Sequence, residues 1–106
     1  MIVYHWTPTS NAPDILQHGL LPGSCLARSP SSWLWWAVRC ARESDEQWTL
    51  MQIDVAGRDL EPTLSPAEYM EGSAHGRGDE LRCGQEVTPD RVIGMKRLSA
   101  ICRAAP

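Results

Sequence analysis

Residues 2–7, Ile-Val-Tyr-His-Trp-Thr, are rich in β-branched and aromatic side chains and stop at Pro8. That composition suits a pleated, packed strand. Successive strand residues face opposite sides, so His5 and Thr7 share one face. Two hydrogen-bonding groups on one face of an otherwise apolar strand mark a candidate site. The chain then turns at once into a short helix. Asn11 is a good N-cap, and Asp14 three residues on resembles a capping box. Ala12, Ile15 and Leu16 form an i, i+3, i+4 stripe, and Gly19 fits the position just past the helix end. A helix of about two turns needs tertiary packing to persist. This opening β-α unit must therefore lean on a sheet made by later residues.

The later residues supply one. Residues 24–28 read as a second strand, and Ser29, Pro30, Ser31 and Ser32 open a second helix over roughly 32–43. Trp33, Trp36, Ala37, Cys40 and Ala41 form its packing stripe, while Trp35, Arg39 and Arg42 fall on the other side. Residues 48–55 alternate, with Thr49, Met51, Ile53 and Val55 on the core face. Residues 56–79 read as a long irregular segment. Within it Ser65, Pro66 and Glu68 open a short helix near 66–71, and a Gly-rich loop holds His75. Strands follow at 79–83 and 92–98, separated by turns at Gly84-Gln85 and Thr88-Pro89-Asp90. The order β-α-β-α-β-(α)-β-β predicts a single α+β domain over residues 1–106.

Several function classes lose support. The net charge is −3 and the arginines are scattered, so there is no broad electrostatic footprint for nucleic acid. Cys25, Cys40, Cys83 and Cys102 form no CxxC or Cys/His pair, so no metal is expected. There is no basic-then-apolar leader and no bilayer-spanning run; a cytoplasmic location with reduced thiols is expected, without a membrane partner. Neither GxGxxG nor GxxxxGK occurs, so any nucleotide must be held some other way. Five Trp and no Phe point first to core filling. His18 suits a helix C-terminus and needs no chemical role.

Taken in order, these segments resemble the ADP-ribosyltransferase superfamily. Tyr4-His5-Trp6-Thr7, then a helix ending His18-Gly19-Leu20-Leu21, is similar to the family's opening. Ala27 through Trp33 and on to Ala37 is similar to its second strand and following helix. Asp79-Glu80-Leu81-Arg82-Cys83 and then Val87-Thr88-Pro89-Asp90-Arg91-Val92 is similar to its end. The nearest look is to small members and to DNA-modifying toxins. The resemblance implies a split, bent antiparallel sheet with short helices, gripping NAD as co-substrate in a central cleft. It implies NAD contacts from His5 and Thr7, and from Arg28 or Ser29. It implies a catalytic carboxylate, for which Glu80 fits the spacing better than Glu86.

The chain departs from the family pattern in two places. Gly78 and Gly84 stand two residues before the two glutamates, where members that modify arginine or asparagine carry Glu or Gln. Trp6 stands where a small residue often lets the backbone approach NAD. The implied activity is transfer of ADP-ribose from NAD to a nucleic-acid or protein acceptor, by a bacterial or phage effector. The competing reading is an inactive member acting as a binding or inhibitory module against a host protein. A third, NAD-dependent removal of a 2′-phosphate from RNA, needs a tight basic cluster that the sequence does not show.

Overall fold

The computed structural model describes residues 1–31, 33–55, 60–62, 80–99 and 101. Strand β1 (Ile2–Pro8) leads through a 3-10 turn at Thr9–Asn11 into α1 (Ala12–His18). Strand β2 (Cys25–Ala27), helix α2 (Leu34–Ser44) and strand β3 (Trp48–Asp54) follow. The described chain then adds β4 (Leu60–Pro62), β5 (Glu80–Cys83), a 3-10 turn at Pro89–Arg91, and β6 (Val92–Arg97). The strands form one sheet in the order β4-β5-β2-β1-β3-β6, and every pairing is antiparallel. The protein is thus α+β, an antiparallel sheet with short helices.

Both faces of the central strands β1 and β3 are covered. Antiparallel partners directly opposite each other share a face. Val3↔Ile53, His5↔Met51 and Thr7↔Thr49 lie on one side; Tyr4↔Gln52, Trp6↔Leu50 and Pro8↔Trp48 lie on the other. The first side packs with Ala12 and Ile15 of α1, together with Leu20, Leu26 and Val87. The second packs Trp6, Ala27, Trp48 and Leu50 against Trp33 and Ala37 at the start of α2. Val3, Met51 and Ile53 are wholly buried, and each contributes roughly 1.5–3 kcal/mol by leaving water.

Gly19 seats α1. Its φ of 79° is open to glycine, and a Cβ there would lie 2.0 Å from the Val87 carbonyl oxygen. That approach lets Leu20 and Val87 exchange backbone hydrogen bonds of 2.8 and 3.0 Å. The link ties the end of α1 to the segment before β6.

The join between β1 and β2 is narrow. A single residue pair, Tyr4↔Ala27, holds it, whereas β1 and β3 pair along seven residues.

Several expectations are corrected here. β4 is an edge strand in a segment read as irregular; its Pro62 suits an edge, where a missing N–H costs no ladder bond. The Asn11 side chain makes no capping bond, because the 3-10 turn puts Asn11 already in helical geometry, with φ −86° and ψ −13°. Leu16 is 44% exposed, since two turns of helix reach the sheet only along Ala12 and Ile15. Helix α2 is preceded by Trp33 in the left-handed region, with no side-chain cap. Its only fully buried residue is Ala37. In β3 the face of Trp48 and Leu50 is buried as well as that of Met51 and Ile53, because α2 covers it. The helix expected near 66–71 and the loop bearing His75 lie outside the described residues. Among the described residues no helix is long and apolar enough to cross a membrane.

Candidate functional site

The narrow β1–β2 join opens into a cavity of about 280 Å³. Tyr4, His5 and Trp6 line it from β1, and the run Ser24–Ala27 lines it from β2. Trp33 and Trp36, around the start of α2, close the wall. The volume lies just under the roughly 300–1,000 Å³ usual for small-molecule sites. Its walls are aromatic, so a flat ring fits it better than a branched or charged ligand.

His5 is the polar centre. Its Nδ1–H donates to the Cys25 carbonyl at 2.8 Å, stitching β1 to β2 where backbone pairing is sparse. A carbonyl can only accept, so Nδ1 must carry the proton. Burial lowers the His5 pKa from 6.5, against a smaller opposing push from the Cys25 carbonyl. The ring is therefore neutral at pH 7, and Nε2 is a lone-pair acceptor suited to a hydroxyl or amide N–H.

Trp33 is the strained part of the wall. Its φ of 69° is an outlier for a bulky residue and costs about 1–2 kcal/mol. It is 7% exposed, and its buried indole N–H has no hydrogen-bond partner. An orphaned buried donor costs roughly 1–3 kcal/mol more. The ring is held edge-on by Trp36 at 6.2 Å, and Trp36 in turn meets Trp48 edge-on at 5.4 Å.

The residues expected at the site divide into two groups. His5 lines the cavity. The backbone of Glu80 pairs with Ala27, which pairs with Tyr4, so Glu80 stands in the same cross-strand row as two lining residues. Thr7 is 3% exposed on the α1 face opposite Thr49 and does not line the cavity. Arg28 is exposed just past β2. The Ser29 hydroxyl lies 3.2 Å from that of Ser31, and neither Arg28 nor Ser29 is in the wall. Glu86 is exposed beside the Leu20–Val87 bridge.

Sequence reasoning missed Cys25, whose carbonyl holds His5, and took Trp33 and Trp36 as packing alone. The signal for the indoles was the tryptophan-rich run Trp33, Trp35, Trp36 in a chain without Phe. Among the described residues, no group of three His, Cys, Asp or Glu side chains gathers as a metal would require. Compared with known proteins, the chain matches no family model and no curated protein.

Proposed function

We propose that the chain is an NAD-dependent ADP-ribosyltransferase, an effector of bacterial or phage type acting on a nucleic-acid or protein acceptor. The supporting observation is the indole-walled cavity at the β1–β2 join, with neutral His5 in its wall and Glu80 in the same cross-strand row as Tyr4 and Ala27. By size it suits one ring-bearing end of a dinucleotide rather than the whole. Arg28 and Ser29 follow Ala27 directly and are the polar groups offered to the pyrophosphate.

In this reading the bond between ribose and nicotinamide breaks, and its electron pair leaves with the nicotinamide. Positive charge develops on the ribose, and the Glu80 carboxylate stabilises it. The acceptor's lone pair then bonds the same ribose carbon, and Glu80 takes the acceptor's proton. His5 Nε2 accepts a hydrogen bond from the bound NAD. Thr7 serves the sheet beneath.

One observation favours the alternative, an inactive binding or inhibitory module. Trp6, one residue from His5, is 6% exposed and forms part of the cavity wall, where a small residue would leave more room for NAD.

Labelled NAD incubated with the protein and a cell lysate decides between them. Transfer of label to nucleic acid or protein, lost in Glu80→Gln, is the expected result. NAD at about 100 times its dissociation constant should also stabilise the fold by about 2.7 kcal/mol. Glu80→Gln should keep that stabilisation. No thermal shift, no transferred label and no free nicotinamide would leave the binding module.

A further inference from the structure

Trp33 concentrates two costs in the wall of the cavity: a left-handed backbone and a buried indole N–H without a partner. Buried donors without acceptors are rare, and backbone strain of this kind gathers at ligand-binding positions. Helix α2 starts without a side-chain cap, and the indole is already positioned by Trp36. The cavity's other polar groups are mostly committed. The Ser24 hydroxyl donates to the Leu21 carbonyl at 2.7 Å, and His5 Nδ1–H donates to Cys25. Two groups in the wall stand out: an acceptor, His5 Nε2, and a buried donor without a partner, the Trp33 N–H.

We propose that Trp33 and His5 together read a planar ring carrying an amide unit, with Trp33 donating to its carbonyl and His5 accepting from its N–H. The flat aromatic walls supply stacking. The donor–acceptor pair rejects rings that lack the amide, because such rings leave both groups unpaired. In the free protein the indole N–H is shut away from solvent, so Trp33 turns to present it, and its left-handed backbone relaxes in the same step. A ring carboxamide such as nicotinamide and a nucleobase lactam such as uracil share this chemistry. The inference stands whether or not the ring belongs to NAD.

The test follows the indole N–H resonances of the ¹⁵N-labelled protein during titration with nicotinamide, uracil and benzene. Nicotinamide or uracil should move the Trp33 resonance downfield, and benzene should not. Trp33→Phe keeps a ring and deletes the donor. It should bind the active probe about 3- to 10-fold more weakly. A response to nicotinamide alone assigns a dinucleotide end; a response to uracil alone assigns a nucleobase. A response to uracil with no binding of NAD would sink the transferase reading and leave this one standing. If neither amide moves the Trp33 resonance, or if Trp33→Phe binds the probe as well as the native chain, the proposal is overturned.

Discussion

Gly19→Ala probes how α1 is fastened to the sheet. Gly19 has φ 79° and ψ −163°, a region essentially reserved for glycine. An added methyl would meet the Val87 carbonyl oxygen at 2.0 Å, its carbon at 3.0 Å and the Thr88 Cα at 3.2 Å. All three are backbone atoms and have no rotamer by which to retreat. The backbone strain costs roughly 1–3 kcal/mol, and forcing the contact apart costs roughly 1–3 kcal/mol more. A sum of about 2–6 kcal/mol corresponds to a fall in melting temperature of roughly 10–40 °C for a domain of this size. Gly23→Ala is the control. Gly23 has a similar φ of 84°, but nothing lies within 4 Å of its Cβ position. It should lose only the strain, about 1–2 kcal/mol. Thermal melts followed by circular dichroism would compare the two variants with the native chain. Equal melting temperatures for Gly19→Ala and Gly23→Ala would refute the claim that close approach to Val87 requires the glycine.

The neutral His5 ring predicts a pH dependence. Its native pKa lies below 6.5, so the unfolded chain takes up a proton first as the pH falls. Stability is full above pH 6.5 and declines as the pH drops from there toward the native value. Melting temperatures between pH 5 and 8 should show this slope in the native chain and a shallower one in His5→Gln; identical slopes would refute it. The cysteines should label in order of access. Cys25 is exposed and should alkylate first, Cys40 is half-buried with its thiol pushed up by burial, and Cys83 is buried and should react only on unfolding. Peptide mapping after a timed pulse of iodoacetamide checks the order, and early labelling of Cys83 would contradict the packing.

The elements with a clean period were legible in the sequence. β1 and β3 announced themselves by composition and alternation, and Gly19 by its place after the α1 stripe. The misses have physical causes. β4 is three residues long and contains a proline, so no period exists to detect; only its pairing with β5 makes it a strand. The second buried face of β3 was hidden because Trp48 and Leu50 owe their burial to α2, which packs over that side. At the site, His5 was found because a polar residue on an apolar strand stands out. Trp33 was not, because a backbone angle and an unpaired N–H leave no trace in residue type. Thr7 was paired with His5 on a correct reading of the strand period. A shared face, however, does not mean a shared cavity: the His5 ring reaches the Cys25 carbonyl of β2, while Thr7 is buried opposite Thr49 of β3.

The sheet order also has a kinetic consequence. Strand β1 finds its long partner only when β3 is available, with Val3 opposite Ile53 some fifty residues further on. Strand β2 waits for β5 across a similar span, with Ala27 opposite Glu80. The entropy of closing those loops must be met before most ladder bonds form. This chain should therefore fold slowly for its size, in milliseconds to seconds rather than microseconds. During that interval the tryptophan-lined strands are exposed to one another between molecules as well as within them. Refolding at low protein concentration should recover more native protein than refolding at high concentration.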